Sequence, residues 1–167
     1  MKESSKAFED YVNTPIGTLM LSFNTEFELT SAIFTDTEIT LPASNGLGIE
    51  EIQNIKKQFE EYFEGNRTNF NIKLSPEGAD FQKRVWNELL NIPFGKTVSY
   101  QQMANKLGDP KVIRAAASAN GKNPISIVIP CHRVIGSNGS LTGYAGGLHR
   151  KKWLLELESP SPQQSLF

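Results

Sequence analysis

Residues 99–121 read SYQQMANKLGDPKVIRAAASANG, and their spacing predicts two short helices across a tight turn. Ser99 stands three residues before Gln102, the separation at which a capping hydroxyl and a reaching amide satisfy each other's backbone N–H groups. The helix opened there runs to Leu107, and Gly108 is the residue type that ends helices. Asp109 and Pro110 open a second helix, aspartate as cap and proline in the first turn, where its missing N–H costs nothing. That helix continues through residues 113–119 to Asn120 and Gly121. Two helices so joined read as helix-turn-helix, although many such pairs merely pack.

The second helix is slim, with Ala115, Ala116, Ala117, Ser118 and Ala119 around one long cation, Arg114. A helix with so few polar side chains has little with which to read base edges in a major groove. It suits close backbone approach and shape-based binding with low sequence preference. It equally suits tight packing against Trp86 or the segment before Cys131. Charge is divided along the chain: residues 1–78 carry six Lys and Arg against thirteen Asp and Glu, and residues 79–167 carry eleven against five. A basic half favours a polyanionic partner such as nucleic acid, but it is also what an ordinary solvated surface can look like. The turn-rich stretch LSPEG at 74–78 marks a boundary. The expected domains are therefore an N-terminal scaffold at 1–76 and a C-terminal functional domain at 77–158. The stretch 159–167, SPSPQQSLF, reads as a disordered tail.

Downstream of the helices, PISIVIP at 124–130 is apolar and β-branched between two prolines, which predicts a short buried strand. Cys131 follows it, at the rim of the core. It is the only cysteine in the chain, which excludes an intramolecular disulfide, and with two histidines it makes a structural zinc site improbable. No metal or cofactor is expected. A lone cysteine is more often a small buried hydrophobe than a reactive group. As a nucleophile it must act as the thiolate, which needs a base or a positive charge close by, and His132 is its neighbour.

The acidic half reads as a small α/β unit. Gly17–Phe23 and residues 27–34 predict a hairpin turning near 24–26. Ile52, Ile55, Phe59, Tyr62 and Phe63 recur at helical spacing over 49–64, with Gly65 as the stop. Phe70, Ile72 and Leu74 alternate as a further strand. The pairs Glu50–Glu51 and Glu60–Glu61 suit a solvated helix face. In the basic half, Phe81, Val85, Trp86, Leu89 and Leu90 predict one apolar helix face, with Asp80 as its cap. The fold class is α+β. There is no stretch of about 18 apolar residues, so no membrane span is expected. The first residues, MKESSK, do not resemble a secretory signal, and sparse cysteine agrees with a reducing, cytoplasmic setting.

The run PCHRV at 130–134, followed by GYAGGL at 143–148, resembles the active-site region of the O6-alkylguanine-DNA alkyltransferases. The likeness extends over 81–158 and more loosely over the N-terminal half. It implies a ribonuclease H-like N-terminal domain and a winged-helix-like DNA-binding unit. The implied activity is DNA repair by irreversible, single-turnover transfer of the alkyl group from O6-alkylguanine, with O4-alkylthymine as a further substrate. The implied partner is damaged double-stranded DNA, bound by a monomer through the minor groove.

By the same resemblance Cys131 is the alkyl acceptor, His132 its base through a water, and Glu158 the carboxylate that orients the histidine. Tyr100 assists departure of the guanine, and Arg114 fills the gap left by the extruded base. Ala115, Ser118 and Ser137 are implied DNA contacts. Asn123 is implied as the architectural tie between the second helix and the active-site turn. Val134, Tyr144, Ala145 and Gly146 would form the substrate pocket, with the carbonyls of Cys131 and Val134 accepting from the guanine amino group. This chain carries Ala145 where some relatives have serine, so only a main-chain donor remains for O6, and Ser126 where some have proline. The N-terminal zinc ligands of some relatives are absent. Three other readings stay open: a binder that flags lesions without repairing them, a helix-turn-helix regulator, and a cysteine hydrolase. A hydrolase would need an oxyanion loop and a separate histidine, and His149 is expected on the surface of the last helix.

Overall fold

Alternation along GTLMLSF places Leu19, Leu21 and Phe23 on one side of a strand, and all three are fully buried in the computed structural model. The structure describes residues 6–37, 39–40 and 45–159, and the chain forms two compact units divided between Glu77 and Gly78. From residue 160 onward the expected tail lies outside the described residues.

The first unit is an antiparallel sheet in the order β1 (Phe8–Thr14), β2 (Gly17–Phe23), β3 (Leu29–Thr35), joined by helix α1 (Glu50–Phe63). Ile52, Ile55, Phe59 and Tyr62 form the buried stripe of α1. Each such side chain contributes roughly 1.5–3 kcal/mol of burial free energy. β1 was not legible in the sequence because an inward position holds a charge. Asp10 is 4% exposed, and Lys56, far along the chain on α1, donates to its carboxylate at 2.9 Å. β3 begins at Leu29 rather than residue 27, because the hairpin loop is longer than expected. The Asn24 side-chain oxygen accepts the N–H groups of Glu26 and Glu28, both at 3.0 Å, and Phe27 adopts a left-handed φ of 62°. The strand expected at Phe70, Ile72 and Leu74 is an extended segment with a single bridge from Leu74 to Leu29. Gln58 on α1 binds both backbone groups of Asn71, at 2.8 and 3.1 Å, and so does the work of a neighbouring strand.

The second unit contains α2 (Asp80–Leu89), β4 (Val98–Ser99), α3 (Tyr100–Lys106), α4 (Ile113–Gly121), β5 (Val134–Ile135) and α5 (Leu148–Glu158). The expected capping box opens α3: Ser99 Oγ accepts from Gln102 N at 3.0 Å, and Ser99 N donates to Gln102 Oε1 at 2.8 Å. Gly108 ends the helix region at a φ of 94°, a conformation that other residues adopt at a cost. Asp109 caps a one-turn 3-10 helix, Pro110–Val112, so α4 itself starts only at Ile113. The cap of α2 is Ala79 rather than Asp80; the Ala79 N–H donates to Gln82 Oε1 at 2.9 Å, and Asp80 occupies the first helical position, where its charge suits the helix dipole. Leu90, placed on the buried face by periodicity, follows the helix and is 44% exposed.

Trp86 Nε1 donates to Ala119 O at 2.8 Å and fastens α2 to α4. The two readings of the slim helix fall on opposite faces of it. Ala116 and Ala119 are buried in the packing, whereas Arg114, Ala115 and Ser118 are exposed.

The strand expected over 124–130 does not form. Ile125, Ile127 and Ile129 are all buried, but Ile127 has a φ of 74° and the segment is a succession of tight turns. Asn123 holds it: Nδ2 donates to Ile125 O at 3.2 Å and Ile129 O at 2.7 Å, and Oδ1 accepts from Ile125 N at 3.0 Å. β4 and β5 pair in parallel, Val98 with Val134 and Ser99 with Ile135, which brings the start of α3 beside the chain leaving Cys131. Among the described residues no helix is long and apolar enough to cross a membrane.

Candidate active site

Cys131 begins a one-turn 3-10 helix, Cys131–Arg133, immediately after the turns that Asn123 holds. Its N–H donates to Ile129 O at 2.8 Å, and the residue is 5% exposed. Burial pushes the thiol pKa up. The Asn123 side chain, the Lys151 cation and the local backbone N–H act in the other direction without overcoming it. The resting group is therefore the neutral thiol, not the pre-formed thiolate that a lowered pKa would give, so its ionisation requires a base.

His132, adjacent in sequence, is fully buried and lies 2.8 Å through Nε2 from Glu158 Oε2. Burial alone would raise the Glu158 carboxyl, but His132 and Arg133 beside it outweigh that and hold it at about 2. An ionised carboxylate only accepts, so Nε2 carries the proton of this bond. His132 Nδ1 is left buried with no hydrogen-bond partner among the described residues.

Arg133 fixes the carboxylate. Its Nε donates to Glu158 Oε1 at 2.8 Å and one Nη to Oε2 at 3.0 Å, while the other Nη donates to Ile92 O at 2.6 Å. This is the bidentate geometry that guanidinium and carboxylate favour.

The acid dependence of stability follows. A carboxyl held at about 2, against an ordinary 4.5, stabilises the fold fully above pH 4.5 and progressively less as pH falls toward 2. The difference is worth about 3 kcal/mol. Unfolding free energies from denaturant titration should fall between pH 5 and 2.5, and in Glu158→Gln that fall should be shallower by about 2 kcal/mol; an equal slope in the two proteins would contradict the assignment.

A second buried cation lies close by. Lys151 Nζ donates to Val134 O at 2.7 Å, Thr142 O at 2.8 Å and, more weakly, Gly143 O at 3.5 Å. It sits 5.9 Å from the centre of the Tyr100 ring. Burial lowers its pKa to about 8, with Cys131 acting the other way. Tyr100 OH donates to Thr142 O at 3.3 Å, so the same carbonyl binds both.

Neither Lys151 nor Arg133 had a role in the sequence reading. Lys151, Leu155 and Glu158 share one face of α5 by spacing, and that spacing is the signal that could have placed the lysine inside. The signal for Arg133 is chemical, since a carboxylate buried against a histidine needs a permanent cation.

A cavity of about 580 Å³ is lined by Tyr100, Ile113, Arg114, Ala117, Asn120, Gly121, Thr142, Gly143 and Tyr144. Tyr100, Arg114 and Tyr144 of the expected site thus meet here. Cys131 adjoins it through Asn120, whose Nδ2 donates to Cys131 O at 3.3 Å. The link from α4 to the Cys131 turn is this Asn120 bond, whereas Asn123 serves the turn itself. Burial, reinforced by Cys131, pushes the Tyr144 phenol pKa up. Val134 is fully buried, Ala145 and Ser137 are exposed and Gly146 is half-buried. Gly146 O accepts from Arg150 at 2.9 Å, which ties the 143–147 loop to α5. Gly147 has a φ of 95°, and a Cβ there would stand 2.9 Å from the His149 ring. Ala115, Ser118 and Ser137 do not line the cavity. His149 is exposed, as expected.

A helix-turn-helix unit carrying a cysteine beside a buried histidine–carboxylate pair defines a DNA-binding type of domain built around a thiol nucleophile. Residues 80–160 match the family profile described as 6-O-methylguanine DNA methyltransferase, DNA binding domain, and residues 8–76 match its ribonuclease-like domain. A methylated-DNA–protein-cysteine methyltransferase of Methanosarcina acetivorans is 44% identical over 146 residues, covering 87% of this chain and 94% of the relative. One from Mycobacterium leprae is 42% identical over 159 residues, covering 93% and 94%. The crystal structure of Mycobacterium tuberculosis OGT in complex with DNA superposes with a TM-score of 0.81 at 40% identity, covering 96% of this chain and 99% of that one. The chain belongs to the methylated-DNA–protein-cysteine methyltransferase family.

Proposed function

We propose that this protein repairs alkylated DNA by moving the alkyl group from O6 of guanine to Cys131 Sγ, once per molecule. The observation that carries this reading is the buried His132–Glu158–Arg133 relay, two of whose members stand in the same one-turn helix as the only cysteine. The alkyl carbon of the lesion lies within the base stack, so the nucleotide must turn out of the duplex before the sulfur can reach it. The slim, outward face of α4 suits close approach in the minor groove with low sequence preference, with Arg114 exposed at the cavity edge to take the place of the departed base. Ala115, Ser118 and Ser137 are exposed where backbone contacts would fall.

In the transfer, the thiol proton passes to His132 Nδ1 through a water, and Glu158 stabilises the imidazolium that results. The sulfur then forms its bond to the alkyl carbon as the carbon–O6 bond breaks. The electron pair goes to the guanine, which Tyr100 assists by donating a hydrogen bond. O4-alkylthymine presents the same kind of alkyl–oxygen bond, with thymine as the leaving group, and is a second substrate in this reading. A thioether has no exit chemistry, so each molecule reacts once; the DNA is the alkyl donor and the protein itself the acceptor, so no cofactor is needed, and in this reading the protein acts as a monomer. A lone thiol kept for this use suits the reducing cytoplasm. The test is incubation with an oligonucleotide containing O6-methylguanine. The peptide holding Cys131 should gain the mass of one methyl group and the DNA should lose it; methyl-free peptide beside restored guanine would refute the reading.

The spent protein should be less stable. Cys131 is 5% exposed, with Ile129 at 1% and Val134 at 0% near it in sequence, so a methyl group added to its sulfur crowds a closely packed turn. Overpacking of this kind costs about 1–3 kcal/mol, which lowers a melting midpoint by at least about 4 °C in a domain of this size. Calorimetry before and after stoichiometric reaction reads it, and an equal or higher midpoint would show that the turn accommodates the group.

A further inference from the structure

We infer that Arg150 is a positioning residue for departure of the guanine, holding in place the main-chain N–H donors that meet the leaving oxygen; this rests on the proposed function above. Arg150 stands in the first turn of α5 and is 4% exposed. A cation there opposes the positive end of the helix dipole, and burying it carries a desolvation cost, so α5 itself gains nothing from it. What the arginine supplies is a grip on the loop before the helix: one Nη donates to Gly146 O at 2.9 Å. Lys151, the next residue, takes Thr142 O at 2.8 Å and Gly143 O at 3.5 Å. Two consecutive cations of one helix turn thus hold the loop at both ends.

Between the two grips lie Tyr144 and Ala145. The N–H groups of Tyr144, Ala145 and Gly146 meet no protein acceptor among the described residues, whereas Gly147 N–H closes a turn on Tyr144 O at 2.9 Å. Gly143 and Tyr144 line the cavity that adjoins Cys131. Donors left open beside a reaction centre suit an oxygen on which charge develops. As the sulfur–carbon bond forms and the carbon–O6 bond breaks, the electron pair stays with O6. The amides donate hydrogen bonds to it and keep their protons. Ala145 has no side-chain hydroxyl to share this work. A donor acts in full only when it is already in place, and the Gly146–Gly147 pair is the most freely rotating part of the loop. Arg150 does not line the cavity; it removes that freedom by fixing the Gly146 carbonyl.

The experiment compares single-turnover transfer rates, at saturating DNA, from O6-methylguanine and from S6-methyl-6-thioguanine in the same duplex. The two carry the same methyl group on the same base, but a thioether sulfur accepts hydrogen bonds only weakly. Arg150→Met keeps most of the side-chain volume and removes the grip on Gly146. Its rate on O6-methylguanine should fall about tenfold and its rate on the sulfur substrate at most about threefold, so the oxygen-to-sulfur ratio shrinks by about three- to tenfold. Each molecule reacts once, so the end-point counts competent protein and the rate ratio is independent of it. A loss equal on both substrates would assign Arg150 to packing alone and overturn the inference while leaving the repair reading intact; an unchanged rate on both would overturn it as well. If Arg150→Met fails to fold, Arg150→Gln is read by the same ratio: its polar side chain is two bonds too short for the Gly146 carbonyl, and an unshifted ratio again overturns the inference. Failure of the parent to react with O6-methylguanine would instead refute the repair reading.

Discussion

Cys131→Ser should bind damaged DNA as the parent does and transfer no methyl group, a loss of about 10⁴-fold or more in the single-turnover rate. The two side chains are close in size, so the turn held by Asn123 and the His132–Glu158 pair should survive, and melting should change little. What is lost is the nucleophile. A hydroxyl ionises several orders of magnitude less readily than a thiol and attacks carbon weakly once ionised. The buried setting exaggerates the difference, since even the thiol is pushed up by desolvation and depends on His132 for its ionisation. Methyl transfer to protein, followed with radiolabelled substrate, reads the loss directly; residual transfer within a hundredfold of the parent would move the acceptor to another residue. Retained DNA binding separates a lost nucleophile from a lost fold.

Glu158→Gln should reduce transfer by about 10²–10⁴-fold and destabilise the protein by about 3–5 kcal/mol, the cost of leaving a buried cation without its counter-charge. The carboxylate serves two donors at once: Oε2 takes His132 at 2.8 Å, and both oxygens take the Arg133 fork at 2.8 and 3.0 Å. An amide offers one acceptor oxygen and an NH₂ that can only donate, so one of the two partners must lose its bond. If Arg133 keeps the oxygen, His132 is freed from its tautomer and its imidazolium loses its stabiliser during proton removal from sulfur. The rate should then recover in part as pH rises, because hydroxide replaces the missing base. A variant as fast and as stable as the parent would show that the pair is incidental to both fold and chemistry.

The same group links this site to the acid limb of stability, so rate and fold respond together to one substitution. Lys151 behaves differently. Its three carbonyl partners belong to β5 and the loop before α5, so it holds the walls of the cavity together and places a positive charge near the sulfur.

Short-range chemistry made much of the molecule legible in the linear chain. The capping box at Ser99 and Gln102, the glycine stop at Gly108, the stripe of α1 and the alternation of β2 depend on residues within a few positions of one another. The cysteine and histidine of the site stand side by side. Tertiary structure alone decided the features whose partners are distant. Asp10 can occupy a core position because Lys56 reaches it across 46 residues, and Glu158 is ionised in the interior because Arg133 grips it across 25. The apolar segment before Cys131 became a coil because one side chain, Asn123, satisfies the backbone groups that a neighbouring strand would otherwise have to satisfy. Periodicity reports which side chains turn inward. It does not report which polar groups will be waiting there, and in this protein those groups determine where the sulfur sits and how its proton leaves.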